Sequence, residues 1–141
     1  MSRPILSLCA WLSGSVVLAQ IPNAGFEQWD NAAGYNEPVG WTTFNPLGSF
    51  FGATFAAQGT PAPAGNSFIQ LTAHELTGAG PMLSLAITGA ADVAMDGFPW
   101  TTRPATLNGL FRFAPQGIDE GHVIVAFYKW DPVTQTRIGL G

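Results

Sequence analysis

The chain has 141 residues, of which 47% are hydrophobic and only 10% are charged, and its formal net charge is −4. Disordered chains combine low hydrophobicity with high net charge, and nucleic-acid-binding proteins present a basic surface, so both classes are excluded. The 17 glycines and 11 prolines favour strands and turns over a helical bundle, and the length suits one domain.

The first element is a short apolar segment that follows Arg3. It covers 5–18 and is followed by the small residue Ala19. The segment is shorter than the roughly 20 residues of a membrane-spanning helix, and it has the basic start and small-residue end of a secretory signal peptide. We therefore predict a signal peptide at 1–19, with a buried N-terminal helix as the alternative. The mature chain, 20–141, contains no cysteine and is expected to lie outside the cytoplasm, with no membrane span.

Glycine, proline and asparagine divide the mature chain into short apolar runs. The first predicted turn between these runs is at 45–48. No stretch longer than about ten residues keeps the apolar period of a helix. Strands are predicted at Pro38–Phe44, Ser49–Ala56, Asn66–Ala73, Pro81–Thr88, Thr106–Ala114, His122–Trp130 and from Thr136 onward. Seven short strands are typical of a sandwich or barrel. We predict an all-β fold at 20–141, a single jelly-roll-type antiparallel β-sandwich whose last strands are expected after Gly141.

Recognisable catalytic motifs are missing from the sequence. His74 and His122 lack the spacing of metal ligands, and no glycine-rich loop is followed by a lysine. A pair of glycosidase carboxylates could be chosen from the acidic residues, but that mechanism fixes a distance in space and no spacing in sequence. The chain is therefore expected to be non-catalytic, and a glycoside-active enzyme is left as an alternative.

Two motifs near the start of the mature chain carry a resemblance to known families. They are Asn23-Ala24-Gly25-Phe26-Glu27-Gln28-Trp29 and Pro38-Val39-Gly40-Trp41, with shorter likenesses at 97–104, 107–113 and 123–130. The chain resembles secreted Bacteroidota proteins that carry a carbohydrate metabolism domain, and it is similar to the start of galactose-binding-like jelly-roll modules. The resemblance implies a cell-surface sandwich that binds polysaccharide or glycan, or helps to process it, beside other domains of a longer surface protein.

The same resemblance implies a metal-binding role for Glu27. In such jelly rolls the glutamate of the opening motif helps to bind a structural Ca²⁺. In these modules a late acidic residue and backbone carbonyls complete the six to eight oxygen ligands of Ca²⁺, and the resemblance places that late partner after Gly141. The alternative is that the Glu27 carboxylate accepts hydrogen bonds from nearby backbone N–H groups. No other cofactor is expected.

Carbohydrate recognition needs aromatic faces and hydrogen-bonding groups on a rigid scaffold. The aromatic candidates are Trp29, Tyr35, Trp41, Trp100, Tyr128 and Trp130. Those in apolar strands are expected in the core. Trp100 instead lies with Arg103 in a loop rich in proline and threonine, where a large exposed aromatic side chain suggests a binding role. We predict that Trp100 and Arg103 contact a glycan. The alternatives are a local cation–π pair between these two residues and an ion pair of Arg103 with Asp92 or Asp96.

The sequence thus predicts a secreted, non-catalytic, carbohydrate-binding module at the cell surface. The first alternative is a structural or adhesive surface module that binds no sugar. The second is the glycoside-active enzyme considered above.

Overall fold

The computed structural model describes residues 21–31, 34–89, 97–100 and 104–140. The predicted signal peptide therefore lies outside the described residues. Contacts within the chain form two compact units, which meet in sequence between Thr106 and Leu107.

Among its described residues the first unit consists of short strands and one helix. The elements are β1 (Trp29–Asp30), β2 (Glu37–Pro38), β3 (Trp41–Thr43), α1 (Asn45–Phe51), β4 (Ala56–Gly59), β5 (Phe68–Leu71), β6 (His74–Leu76), β7 (Gly80–Met82) and β8 (Ala86–Thr88). The strands pair antiparallel as β1 with β2, β3 with β8, β4 with β5, and β6 with β7. Apart from one short helix, the regular elements of the described residues are strands, so the prediction of an all-β chain is confirmed. Each sheet is a two-stranded pair, and closure into a jelly roll stays a prediction.

Helix α1 corrects two predictions from the sequence. A turn was expected at 45–48 and a strand at Ser49–Ala56, but the chain is helical from Asn45 to Phe51. Pro46 lies in the first helical turn, where its fixed φ favours helix formation and its missing N–H is not needed. Gly52 ends the helix in the left-handed conformation, with a φ of +67°. Two helical turns are too short to show an apolar period, and the paired phenylalanines before Gly52 resemble a strand.

The core of the first unit is built around Phe55, whose side chain has no solvent-exposed area. Its ring meets Phe44 and His74 edge-on, with centroid distances of 6.0 and 5.2 Å. Ala56 and Leu76 are also buried. His74 is the first residue of β6, and its Nε2 lies 2.8 Å from the carbonyl oxygen of Thr54.

The second unit contains one hairpin among its described residues, formed by β9 (Tyr128–Asp131) and β10 (Thr136–Gly139). The Asp131 carboxylate closes the turn by accepting hydrogen bonds from the Val133 N–H and the Thr134 hydroxyl, each at 2.9 Å. The last predicted strand, from Thr136, is confirmed by β10.

Two other strand predictions in the second unit are wrong. The segment 106–114 forms no strand, and of His122–Trp130 only the last three residues do. A strand exists only when a neighbour pairs its N–H and C=O groups, so a β-type sequence alone is not sufficient. Large apolar side chains of these segments, such as Phe111 and Ile124, are 86% and 85% exposed. No helix in the described parts of the chain has the length and apolarity needed to span a bilayer.

Candidate functional site

The predicted ligand contact Trp100 is half-buried and lies against Phe98. Its ring is tilted by 57° against the ring of Phe98, with 5.3 Å between the centroids. The Gly97 N–H donates a hydrogen bond of 2.5 Å to the carbonyl of Thr88, the last residue of β8. The aromatic pair is thus anchored to the end of a strand and still reaches solvent.

The anchor depends on a glycine at the end of β8. Gly89 has a φ of +99°, and a Cβ atom added there would lie 2.5 Å from the Gly97 carbonyl oxygen. Only glycine combines this conformation with such a close approach of two backbone segments. Arg103 lies outside the described residues, as do Asp92 and Asp96, so the predicted contacts of Arg103 stay predictions.

Glu27, the predicted metal ligand, fastens the N-terminal motif to the loop before β5. Its Oε1 atom accepts hydrogen bonds from the backbone N–H groups of Asn66, at 2.6 Å, and Ser67, at 3.1 Å. These contacts match the alternative interpretation, in which the carboxylate caps backbone donors. The bond from Asn66, followed by that from Ser67, lowers the pKa of Glu27 below its ordinary value of 4.5, because both donors favour the ionised form.

The surroundings of Glu27 do not fit a Ca²⁺ ion at Oε1. A cation needs oxygen ligands, whereas the partners of this oxygen are two N–H donors. Among the residues that the structure describes, no three acidic, histidine or cysteine side chains come together as a metal site. Calcium binding therefore stays a prediction from the resemblance.

Substitution of Glu27 by Gln is expected to lower the free energy of unfolding at neutral pH and to have less effect in acid. Because the folded-state pKa is lowered, the stability from the ionised carboxylate is complete above the unfolded-state pKa and is lost as the pH falls through the folded-state value. Urea denaturation of both proteins, from neutral pH to below the folded-state pKa, measures the difference.

The matched control is Glu75→Gln, since Glu75 is exposed and has no hydrogen bond or ion pair within the described residues. It should leave stability nearly unchanged at every pH. A loss in Glu27→Gln that is the same at all pH values would contradict the assignment. A fall in the wild-type melting temperature on adding a chelator would instead support Ca²⁺.

The structure also shows a cleft that the sequence did not predict. It has a volume of about 370 Å³ and lies between the segment that follows β1 and the C-terminal end of α1. The polar side chains that line it belong to Asn31, Tyr35, Asn36, Asn45, Ser49 and Thr54. Tyr35 was among the aromatic candidates for sugar contact, but the other five residues carried no recognisable signal in the sequence.

Asn45 forms the buried part of the cleft wall and joins three segments. Its Nδ2 donates to the carbonyls of Asn36, at 2.6 Å, and Ala56, at 2.7 Å, while its Oδ1 accepts from the Ala56 N–H at 2.8 Å. The side chain is 3% exposed. The single amide thus joins Asn36, the start of α1 and the start of β4.

A second carboxylate supports the same wall. Glu37 Oε1 accepts from the Thr43 N–H and Glu37 Oε2 from the Thr43 hydroxyl, each at 2.7 Å. The Thr43 hydroxyl oxygen in turn accepts from the Asn45 N–H at 3.0 Å, just where α1 begins. The polar network therefore continues from β2 to the helix and fixes the position of Asn45.

No protein-family model matches this chain, and comparison with curated proteins and with solved structures gives no match either. The resemblance to the carbohydrate metabolism domain and to galactose-binding-like modules therefore stays a prediction. The support for any function comes from the geometry of Trp100 and of the cleft.

Proposed function

We propose that the chain is a non-catalytic, carbohydrate-binding module that acts at the cell surface, with Trp100 as its main ligand contact. The observation that carries the proposal is the aromatic pair of Trp100 and Phe98, which is anchored to β8 and partly open to solvent. Tryptophan supplies a large apolar face with a polar edge, which suits a sugar ring with its C–H face and its hydroxyl groups.

Two further features support this function. Arg103 follows Trp100 by three residues and brings five N–H donors for ligand hydroxyl groups. The hydrogen bond from Gly97 to Thr88 holds the backbone next to Phe98 and Trp100 in place. Less conformational entropy is therefore lost when a ligand binds, which favours affinity. The predicted signal peptide at 1–19 supports a location outside the cytoplasm.

Substitution of Trp100 by Ala is expected to weaken glycan binding by about tenfold or more, because loss of a central aromatic contact removes at least about 1.4 kcal/mol of binding free energy. The melting temperature should change by less than about 4 °C, since the half-buried ring lies outside the core around Phe55. Titration calorimetry with a neutral oligosaccharide measures the affinity, and calorimetric melting measures the stability.

Phe50→Ala is the matched control, because Phe50 is an aromatic residue that is 84% exposed and lies on α1. This variant should bind the oligosaccharide as the wild type does. Equal affinities of the wild type and Trp100→Ala would show that Trp100 does not contact the ligand.

A structural or adhesive module is the second candidate, and one observation favours it. In the second unit large apolar side chains are widely exposed, among them Phe111 at 86%, Ile118 at 98% and Val133 at 88%. Exposed apolar surface of this kind marks sites of association. Concentration-dependent self-association of a folded chain that binds no glycan would favour this candidate.

The alternative of a glycoside-active enzyme has less support than the two binding or structural candidates, because two of the described carboxylates are used within the fold. Glu27 and Glu37 both accept backbone hydrogen bonds that hold the fold together. Release of sugar products from a polysaccharide, abolished by replacing one acidic residue, would establish the enzyme.

A further inference from the structure

We propose that the cleft beside Tyr35 is a binding site for a single uncharged pyranose ring. The site is built from residues other than Trp100 and Arg103, so this inference goes beyond the proposed function and does not rest on it. Four properties of the cleft support it, namely its size, its aromatic wall, its hydrogen-bonding groups and its lack of charge.

The cleft has the size and the aromatic wall that a sugar ring needs. Its volume of about 370 Å³ falls within the roughly 300–1,000 Å³ of small-molecule sites. Tyr35 lines the cleft and is half-buried, so part of its surface is open to a ligand. Among the described residues the Tyr35 hydroxyl has no hydrogen-bond partner, which leaves it able to donate and to accept.

Two exposed amides at the mouth of the cleft are oriented by one another. Asn31 Nδ2 donates to Asn36 Oδ1 at 2.7 Å. This bond directs both side chains, while Asn31 Oδ1 and Asn36 Nδ2 have no partner in the described parts of the chain. One acceptor and one donor are thus presented together, and a sugar hydroxyl can both donate and accept.

Ser49 adds a third polar group from the opposite wall. Its hydroxyl donates to the Pro46 carbonyl at 2.8 Å, so its oxygen keeps the capacity to accept a further hydrogen bond. Helix α1, which carries Ser49, is joined to Asn36 through the hydrogen bond that Asn45 Nδ2 donates to the Asn36 carbonyl. A site held in this way loses little conformational freedom when a ligand binds.

The absence of charge selects the class of ligand. Within the described residues, none of those that line the cleft is acidic or basic. A phosphate, a carboxylate or an ammonium group would lose solvation there without gaining an opposite charge, which is unfavourable. Most sites for apolar ligands have hydrophobic walls, whereas amides and hydroxyls dominate here. A neutral ring covered with hydroxyl groups meets both conditions.

The test uses NMR titration of the full chain with methyl β-glucopyranoside, methyl β-galactopyranoside and methyl α-mannopyranoside, and with glucuronate as the charged counterpart. At least one neutral glycoside should shift the side-chain amide signals of Asn31 and Asn36, and glucuronate should bind at least about tenfold more weakly. Absence of any shift with all three neutral glycosides, well above millimolar concentration, would overturn the inference, as would stronger binding of glucuronate.

Variants separate this site from the one at Trp100. Asn36→Ala keeps the backbone carbonyl that Asn45 uses, so the fold is retained, and it should weaken glycoside binding by about tenfold. Tyr35→Phe removes only the hydroxyl and should weaken binding less. Trp100→Ala should leave the Asn31 and Asn36 shifts unchanged. In Asn36→Ala only the Asn31 side-chain amide remains as a probe. If Trp100→Ala abolishes the Asn31 shift and Asn36→Ala leaves it at the wild-type size, the cleft is not the site, whereas the proposed function at Trp100 stands.

Discussion

Substitution of Phe55 by Ala is expected to lower the free energy of unfolding by about 3–5 kcal/mol. The Phe55 side chain is fully buried and is the centre of the core in the first unit. Its removal would leave a cavity and would also end the edge-on contacts with Phe44 and His74. Because a small domain has a total stability of roughly 5–15 kcal/mol, much of the chain population would unfold on mild heating.

Phe50→Ala supplies the comparison, since Phe50 is also an aromatic residue but is 84% exposed. Surface substitutions of this kind change stability by less than about 0.5 kcal/mol. Urea denaturation followed by tryptophan fluorescence measures both variants. Equal stabilities of Phe55→Ala and Phe50→Ala would show that the core does not lie at Phe55.

Substitution of Asn45 by Ala is expected to lower the free energy of unfolding by roughly 3 kcal/mol, because a buried N–H and two carbonyls would lose their partner. The same change removes the link between Asn36 and β4. Glycoside binding in the cleft should therefore also be lost, even at temperatures where the variant is still folded.

Gln70→Ala is the matched control, since Gln70 carries the same amide group at an exposed position of β5 and has no side-chain hydrogen bond within the described residues. Its stability should stay within about 0.5 kcal/mol of the wild type. Denaturation curves and the NMR titration measure both properties. If Asn45→Ala is as stable as Gln70→Ala, the three hydrogen bonds do not stabilise the fold.

The strands that the sequence predicted correctly are those bounded by strong turn residues. Phe68–Leu71 lies within the predicted Asn66–Ala73, which follows a turn rich in proline and glycine. The predicted strand Pro81–Thr88 covers β8 and all of β7 except Gly80. The strand is interrupted between them, where the Ser84 hydroxyl donates to the Phe55 carbonyl at 2.6 Å. Such a bond to another segment of the chain has no signal in the local sequence.

The parts that were not predicted depend on contacts between distant residues. The sequence Asn45-Pro46 is a common turn signal, and the buried bonds of Asn45 to Asn36 and Ala56, which hold the start of α1, have no signal in the local sequence. The cleft escaped prediction for the same reason, because its walls meet only after β1, β2 and α1 have formed. Trp100 could be singled out from its loop composition, but its anchor at Thr88 could not.

Carbohydrate binding is tested most directly by a glycan array probed with the wild-type chain and with Trp100→Ala, after both have been shown to melt cooperatively. The expected result is binding of the wild type to one or more neutral glycans and a clear loss of that signal in the variant. A wild-type chain that is folded and binds none of the glycans would contradict the proposed function and would leave the structural or adhesive module as the better description.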